Sequence, residues 1–281
     1  MILQAQELAL SYGTKKNLAD AIVTDISLNL EAGQVLVIQG PNGSGKSTLM
    51  KGLARQLKAA RGSVSLGGKD IWQMNIAEFA RKIAYVPQKL ELPWEMTVLE
   101  LIALGRNPHQ KWWSTALTTS ERALVHGAMA RCGLDGMGQR RVNQLSEGEK
   151  QRATIAMALA QEPHFILLDE PTANLDFRYQ LELIAIIKEL KAQNIGVAAI
   201  LHDLNLCARI ADQVLLLGKA SGGGASSVVA LGSVQTVLQP EQLRAVFAVD
   251  LTIVRDPDSG CDIYIPRSLS DSHKNSSKDR A

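Results

Sequence analysis

Cysteine is scarce in this sequence, and the few cysteines present are badly spaced for a metal site or a disulfide framework. The 281 residues include three, Cys132, Cys207 and Cys261, which lie far apart in the chain. Their odd number and wide spacing match neither a zinc-ligand pattern nor a set of paired disulfides. We therefore expect a protein of a reducing, cytosolic compartment.

The sequence also lacks a recognisable targeting or membrane-spanning segment. Residues 1–7 contain no basic stretch followed by an apolar one, so we expect no signal peptide. No apolar run approaches the roughly 18 residues that are needed to cross a bilayer. Any role at a membrane is therefore expected to go through a partner protein.

No excess of positive charge is present. The chain has 30 Lys and Arg residues against 28 Asp and Glu residues, which gives a formal net charge of +2. Domains that bind nucleic acid through bulk charge are usually far more basic, so we expect no nucleic-acid partner. The hydrophobic share of 46% excludes disorder of the whole chain and favours one large domain or two coupled lobes.

The order of the apolar segments predicts an α/β fold. Residues 97–160 are expected to be mostly helical, because Thr97 with Glu100 and Thr118 with Glu121 both match the capping box of a helix start. Short apolar runs that alternate with helix-like segments indicate a parallel sheet with crossover helices. The runs that we interpret as strands are residues 22–30, 35–38, 165–168 and 197–201, with a helix expected at 179–193.

A glycine-rich segment follows the strand at 35–38 and matches the phosphate-binding pattern G-x-x-x-x-G-K-[ST] completely. Glycines let backbone amides curl around phosphate oxygens, and the next helix presents its positive end to the anion. Lys46 is expected to bridge the β- and γ-phosphates, and Ser47 to bind Mg²⁺. This loop alone does not separate kinases, GTPases and ATPases, although an Asn-Lys-x-Asp guanine reader is absent. The predicted nucleotide contacts here are Gly40, Pro41, Asn42, Gly43, Ser44, Gly45, Lys46, Ser47 and Thr48.

Three further polar side chains are predicted at the same edge of the sheet. Asp169 follows the strand at 165–168, where α/β sheets bind their ligands, and is expected to hold Mg²⁺. Glu170 comes next and is expected to accept a proton from the attacking water. His202 follows the strand at 197–201 in the same way, so a contact with the γ-phosphate is expected.

Several segments, in a fixed order, resemble the nucleotide-binding subunit of ABC transporters. The most diagnostic is residues 145–152, Leu-Ser-Glu-Gly-Glu-Lys-Gln-Arg, which is similar to the family's Leu-Ser-Gly-Gly-Gln signature. The resemblance covers roughly residues 1–250. The other matching residues are Tyr12 as the A-loop aromatic, Gln88 of the Q-loop, Asp176 at the end of a D-loop at 173–176, and His202 of the H-loop.

The resemblance implies a P-loop NTPase fold, with a RecA-like core, an antiparallel β-subdomain and a helical subdomain. The implied divisions are an ATP-binding domain at 1–250 (core at 1–88 and 161–235, helical lobe at about 89–160), a C-terminal extension at 251–266 and a disordered polar tail at 267–281.

A homodimer is also implied, in which each ATP lies between the phosphate loop of one subunit and the signature of the other. Ser146 and Gly148 would then reach the γ-phosphate in trans. Asp176 and Tyr12 are implied as further nucleotide contacts. The implied catalytic residues are Glu170, His202 and Gln88, and the implied Mg²⁺ ligands are Ser47, Gln88 and Asp169.

Two residues depart from the common signature. Glu147 stands where the family has a glycine, and Glu149 where it has a glutamine. A carboxylate close to an incoming γ-phosphate would be repelled by its charge. We therefore expect Glu147 to face solvent or a cation.

The sequences of several segments resemble those of the ATPases of bacterial importers for iron-siderophore complexes, haem and cobalamin. That resemblance implies separate integral membrane permease subunits at the cytoplasmic face of the inner membrane, and indirectly a periplasmic or lipoprotein substrate-binding protein. The alternatives are a soluble non-transport ABC ATPase, an importer ATPase for another substrate such as a metal ion, and a module that holds ATP without hydrolysing it. The segments concerned are residues 85–106, 202–206, 246–250 and 263–266.

Overall fold

The fold is taken from a computed structural model that describes residues 1–13, 18–90, 95–110, 116–172, 176–219, 224–258 and 260–269. The strands within these ranges are β1 Ile2–Leu10, β2 Val23–Glu31, β3 Val35–Gln39, β4 Arg61–Leu66, β5 Lys69–Asp70, β6 Ile83–Val86, β7 Phe165–Leu168, β8 Gly196–Ile200, β9 Gln213–Lys219, β10 Ser226–Gly232, β11 Val249–Arg255 and β12 Asp262–Leu269. The helices are α1 Lys46–Leu53, α2 Ile76–Ala80, α3 Val98–Ala103, α4 Thr119–Arg131, α5 Glu147–Ala160, α6 Phe177–Ala192, α7 Leu204–Ile210, α8 Val234–Val237 and α9 Pro240–Phe247, with 3₁₀ turns at Leu18–Asp20, Leu104–His109 and Val142–Gln144.

Ten strands form one sheet with two different halves. The order is β5-β4-β1-β2-β10-β9-β3-β8-β7-β6. The strands β9, β3, β8, β7 and β6 run parallel, whereas β5, β4, β1 and β2 pair in an antiparallel way. This arrangement confirms the predicted fold class, a P-loop NTPase core with an antiparallel β-subdomain.

Burial explains which apolar runs became central strands. Every residue of β3, β7 and β8 is buried, because helices cover both faces of a parallel sheet. In β2 buried and more exposed residues alternate, as the sequence pattern predicts for a strand with one face toward the core. The carboxyl ends of β3, β7 and β8 therefore meet at one edge, which carries the polar residues described below.

The region 97–160 is largely helical, as predicted. Capping boxes at Thr97 with Glu100 and at Thr118 with Glu121 begin α3 and α4. The lobe is fastened to the sheet by Arg106, a buried residue whose guanidinium lies 2.8 Å from Glu162. Arg106 also donates to the backbone oxygen of Ala160 at 2.7 Å, so these contacts hold the end of α5 beside the sheet.

The C-terminal residues form a hairpin of β11 and β12, in which Val249 pairs with Leu269. Residues 267–269 belong to this strand, so the expected start of the disordered tail at 267 is wrong. Pairing with β11 keeps the chain extended through Leu269, since Ser268 pairs with Asp250 and Leu269 with Val249. Residues 270–281 lie outside the described residues. Among the residues that the structure describes, no helix is long and apolar enough to cross a membrane.

Candidate functional site

The phosphate loop joins the buried strand β3 to the first turn of α1. Gly45 has a φ of +82°, and a Cβ atom there would lie 2.4 Å from Val23 Cγ1, so the turn requires glycine. The side chain of Ser44 is buried, and its Oγ has no hydrogen-bond partner among the described residues. A buried hydroxyl without a partner fits a loop that is built to contact a further group. Asn42 and Gly43 are exposed at the tip of the loop, and Thr48 is buried in α1.

Lys46 folds back over this loop. Its Nζ donates to the backbone oxygens of Gly40 at 2.8 Å and Pro41 at 3.0 Å. The side chain is buried, and that burial lowers the pKa of Lys46, while the charges of Glu170 and Asp169 oppose the shift. A buried ammonium group that donates to carbonyl oxygens can bind a phosphate anion with a stronger, charge-assisted contact.

Ser47 and Asp169 meet across the sheet edge as the sequence predicts. Ser47 Oγ donates to Asp169 Oδ1 at 3.0 Å, and the two residues are 122 positions apart in the chain. The hydroxyl of Tyr85 donates to the other oxygen, Oδ2, at 3.1 Å. Burial raises the pKa of Asp169, and the hydrogen bonds from Ser47 and Tyr85 act in the opposite direction. Hydroxyl and carboxylate oxygens are the ligands that Mg²⁺ prefers, so this pair fits a magnesium ion.

Glu170 lies between two of the predicted catalytic residues. Its Oε1 is 2.8 Å from His202 Nε2, and its Oε2 accepts a hydrogen bond from Gln88 Nε2. The backbone of Glu170 has a φ of +51°, in the left-handed region that most residues avoid. Such strain persists only where the surroundings hold it, and here it aims the carboxylate at His202. The structure therefore brings Gln88, Glu170 and His202 into one cluster beside Asp169.

The signature segment forms the start of α5, and the sequence analysis did not recognise that Ser146 and Glu149 cap this helix. Ser146 and Glu149 make a capping box: Ser146 Oγ accepts from the Glu149 amide at 3.3 Å, and Glu149 Oε2 accepts from the Ser146 amide at 2.8 Å. The Ser-x-x-Glu spacing that identified the two earlier boxes is present here as well. Glu147 is exposed and pairs with Lys150 at 2.7 Å, so the expectation that it faces solvent or a cation is confirmed.

Gly148 is buried under the aromatic ring of Tyr179, which lies on α6. A Cβ atom at Gly148 would lie 2.9 Å from the ring of Tyr179 on α6. The Tyr179 amide donates to Asp176 Oδ1 at 3.0 Å, which makes Asp176 the N-cap of α6. The signature and the end of the D-loop are thus packed together, while residues 173–175 of that loop lie outside the described residues.

Tyr12 lies beside the far end of the phosphate-binding helix. The ring is 55% exposed, Lys51 Nζ lies 5.5 Å from its centroid, and the Tyr12 hydroxyl accepts from Lys51 Nζ at 3.3 Å. The exposed ring is available for stacking.

Within the described ranges, the signature residues do not reach the phosphate loop of their own subunit. Ser146 contacts Glu149, and Gly148 contacts Tyr179. In the described part of the chain, the structure gives no contact of Ser146 or Gly148 with the phosphate loop.

Comparisons with known proteins agree with this geometry. A family model described as ABC transporter matches residues 23–173, more than half of the chain. The achromobactin transport ATP-binding protein of Dickeya dadantii is 37% identical over 268 residues, which cover 94% of each chain. The iron(3+)-hydroxamate import ATP-binding protein of Bacillus subtilis is 36% identical over 256 residues, which cover 91% of each. A solved dimeric bacterial ABC transporter cassette is 26% identical with a TM-score of 0.69, covering 83% of this chain and 98% of that one.

Proposed function

Because this chain belongs to the ABC transporter family and is an ATP-binding, ATP-hydrolysing import subunit, we propose that it powers uptake of a ferric siderophore, haem or a similar metal chelate. The assignment of ATP hydrolysis to this site rests on one observation, that Gln88, Glu170 and His202 form a cluster beside the Ser47–Asp169 pair. The proposed cargo is supported by the two relatives, an achromobactin transport ATP-binding protein and an iron(3+)-hydroxamate import ATP-binding protein.

The phosphates of ATP are bound by the loop from Gly40 to Ser47. The Lys46 ammonium exchanges its two carbonyl partners for the β- and γ-phosphate oxygens, and the unpartnered Ser44 hydroxyl supplies a further donor. Backbone amides at the start of α1 add to this anion site, because the first turn of a helix has free N–H groups. Tyr12 stacks on the adenine base at the exposed side.

Mg²⁺ would be held by Ser47 Oγ and Asp169, with the side-chain oxygen of Gln88 as a third ligand. Bound there, the ion neutralises charge on the β- and γ-phosphate oxygens. Asp169 keeps one oxygen toward Ser47, so hydroxyl and carboxylate lie on the same side of the pocket. The few protein oxygens suit Mg²⁺, which usually keeps several waters and binds substrate phosphates.

Glu170 accepts the proton of the attacking water. Its carboxylate is oriented by His202 on one oxygen and by Gln88 on the other. His202 lies at the end of β8, the neighbour of the strand that leads into the phosphate loop, so it also faces the γ-phosphate. The two contacts remove rotational freedom from the Glu170 side chain, which favours proton transfer along one direction.

A second copy of the chain completes each site. Ser146 is the N-cap of α5 and Gly148 lies in its first turn, and neither contacts a phosphate-loop residue of its own subunit in the described ranges. They would present a hydroxyl and a free helix-terminal amide to the γ-phosphate of the partner. This arrangement is supported by the similarity to a cassette that was solved as a dimer.

The import complex also requires membrane subunits. Integral permease subunits would anchor the ATPase dimer at the cytoplasmic face of the inner membrane, and a periplasmic or lipoprotein substrate-binding protein would deliver the cargo. ATP closes the dimer and hydrolysis releases it, which provides a two-state motion for the permease.

Growth of a strain that lacks the gene tests the proposed cargo. With a ferric hydroxamate, haem or cobalamin as the only source of iron or cobalamin, we expect growth to fail on at least one of them. The parent gene should restore growth, and Glu170→Gln should not, although the protein accumulates to the same level. Normal growth of the deletion strain on all three, combined with failure on a free metal ion, would instead identify a metal-ion importer.

A further inference from the structure

Tyr85 contacts the proposed Mg²⁺ ligand, and this contact has no counterpart in the motifs that identify the site. Its hydroxyl donates to Asp169 Oδ2 at 3.1 Å. The contact follows from strand register: Tyr85 on β6 is paired with Leu167 on β7, and Asp169 comes two residues later. Side chains two residues apart on a strand share a face, so a ring at Tyr85 can reach the carboxylate beyond its own partner.

The two oxygens of Asp169 have separate hydroxyl partners. Ser47 Oγ lies 3.0 Å from Oδ1, and Tyr85 lies on Oδ2. Only 3% of Asp169 is exposed, so water does little to orient or solvate the carboxylate.

We propose that Tyr85 is a positioning residue for the metal: its hydroxyl fixes Oδ2 of Asp169 so that Oδ1 faces the Ser47 hydroxyl. The inference rests on the proposed function, because it concerns the same Mg²⁺–ATP site. A carboxylate rotates easily about its terminal torsion. Because the Tyr85 hydroxyl holds Oδ2, Oδ1 already faces the Mg²⁺ site. The carboxylate then loses no further rotational freedom when Mg²⁺ binds.

A purely structural role for Tyr85 makes a different prediction. The ring packs against the buried cluster that includes Ile38 and Leu167, and a phenylalanine would keep that packing. If packing were the whole role, Tyr85→Phe would leave metal binding unchanged. If the hydroxyl positions Asp169, the same substitution weakens metal binding, and groups that orient a ligand typically contribute about 10- to 100-fold to metal affinity.

The test measures metal binding directly. Mn²⁺, a paramagnetic substitute for Mg²⁺, is titrated into the full chain with a non-hydrolysable ATP analogue and followed by electron paramagnetic resonance. We expect Tyr85→Phe to bind Mn²⁺ about 10-fold or more weakly than the parent. Binding of the analogue in EDTA should be equal in the two proteins, because within the described ranges the Tyr85 hydroxyl bonds to Asp169 and not to the phosphate loop.

Tyr264→Phe is the control for loss of a tyrosine hydroxyl: Tyr85 is partly buried, and Tyr264 is buried on β12 in the C-terminal hairpin, away from Asp169. It should bind Mn²⁺ like the parent. As a second measurement, the Mg²⁺ concentration for half-maximal ATPase activity should rise for Tyr85→Phe, and excess Mg²⁺ should recover most of the rate.

Equal Mn²⁺ affinity of Tyr85→Phe and the parent would overturn the inference while leaving the proposed function intact. A parent that binds the analogue but no Mn²⁺ would overturn the metal site itself, and the inference with it. A uniform loss of turnover that excess Mg²⁺ does not recover would also refute a positioning role.

Discussion

Replacement of Glu170 by glutamine is the most direct test of the hydrolytic site. The carboxylate contacts His202 Nε2 at 2.8 Å and accepts from Gln88 Nε2. A glutamine has the same length and volume, its oxygen can still accept from Gln88, and its NH₂ group can donate to a neutral His202. The left-handed backbone at this position imposes similar strain on both residues. The substitution therefore removes the proton acceptor and leaves the surroundings in place.

The expected size of the effect follows from that comparison. A positioned general base contributes about 10²- to 10⁴-fold to a rate, and each tenfold is about 1.4 kcal/mol of activation free energy. We expect turnover of Glu170→Gln to fall by that range, a loss of about 3–5 kcal/mol in transition-state stabilisation. ATP affinity should stay within a few-fold of the parent, because Lys46 and the loop amides are unchanged.

The assay combines two measurements on the same protein. Phosphate release at saturating Mg²⁺–ATP gives the turnover, and size-exclusion chromatography with ATP gives the oligomeric state. Glu170→Gln should bind ATP, hydrolyse it slowly and accumulate as a closed dimer. Glu241→Gln, on an exposed residue of α9, is the matched control and should behave like the parent in both measurements.

Three results would refute this reasoning. Parental turnover in Glu170→Gln would show that another group accepts the proton. A monomer at saturating ATP together with parental turnover would likewise show that the assignment of Glu170 as general base is wrong. A loss of ATP binding would show that Glu170 supports the fold of the site and does more than accept a proton.

Further predictions concern the phosphate loop and the signature helix. Lys46→Ala should abolish ATP binding or nearly so in a fluorescent-nucleotide titration, because the charge-assisted phosphate contact is lost. Glu147→Gly should leave ATP affinity and turnover within a few-fold of the parent, since the carboxylate is exposed and paired with Lys150; a large gain in rate would show that it obstructs the site. Ser146→Ala should lower the free energy of unfolding by about 1 kcal/mol in chemical denaturation, through loss of the N-cap. Glu149→Gln should lower the melting temperature at pH 7, because hydrogen bonds from Ser146 lower the pKa of Glu149 and its carboxylate thereby stabilises the folded protein. That stabilisation is present above the ordinary glutamate pKa, so the difference in melting temperature between variant and parent should shrink below about pH 4.

Much of the site could be predicted from the sequence because the relevant residues follow strands. Asp169 comes directly after the buried strand β7, and Ser47 follows the loop at the end of β3. Parallel strands bring their carboxyl ends to one edge of the sheet, where the two residues meet. The same argument placed His202 near Glu170, and the structure joins them at 2.8 Å. The sequence pattern at Ser146 and Glu149 was equally informative, but comparison with the family signature made Glu149 look like a departure when it is a helix cap.

Other features could not be predicted because they depend on contacts between distant segments. Tyr85 reaches Asp169 only through the register of β6 with β7, which no local pattern encodes. Gly148 must lack a side chain because Tyr179 of another helix packs on it. Asn205 holds the C-terminal hairpin through its side chain, which accepts from the Tyr264 amide at 2.8 Å. The segment predicted to begin a tail continues as a strand because Ser268 and Leu269 pair with β11.

The sequence by itself determined the phosphate loop, the helix starts and the buried strands, because glycine spacing, capping residues and apolar runs act within a few positions of the chain. Only the tertiary structure decided which oxygen of Asp169 each hydroxyl contacts and how Glu170 is held between His202 and Gln88. Those choices depend on strand register and on the packing of helices against the sheet edge. Both are set by the burial of the whole core, which no short segment specifies.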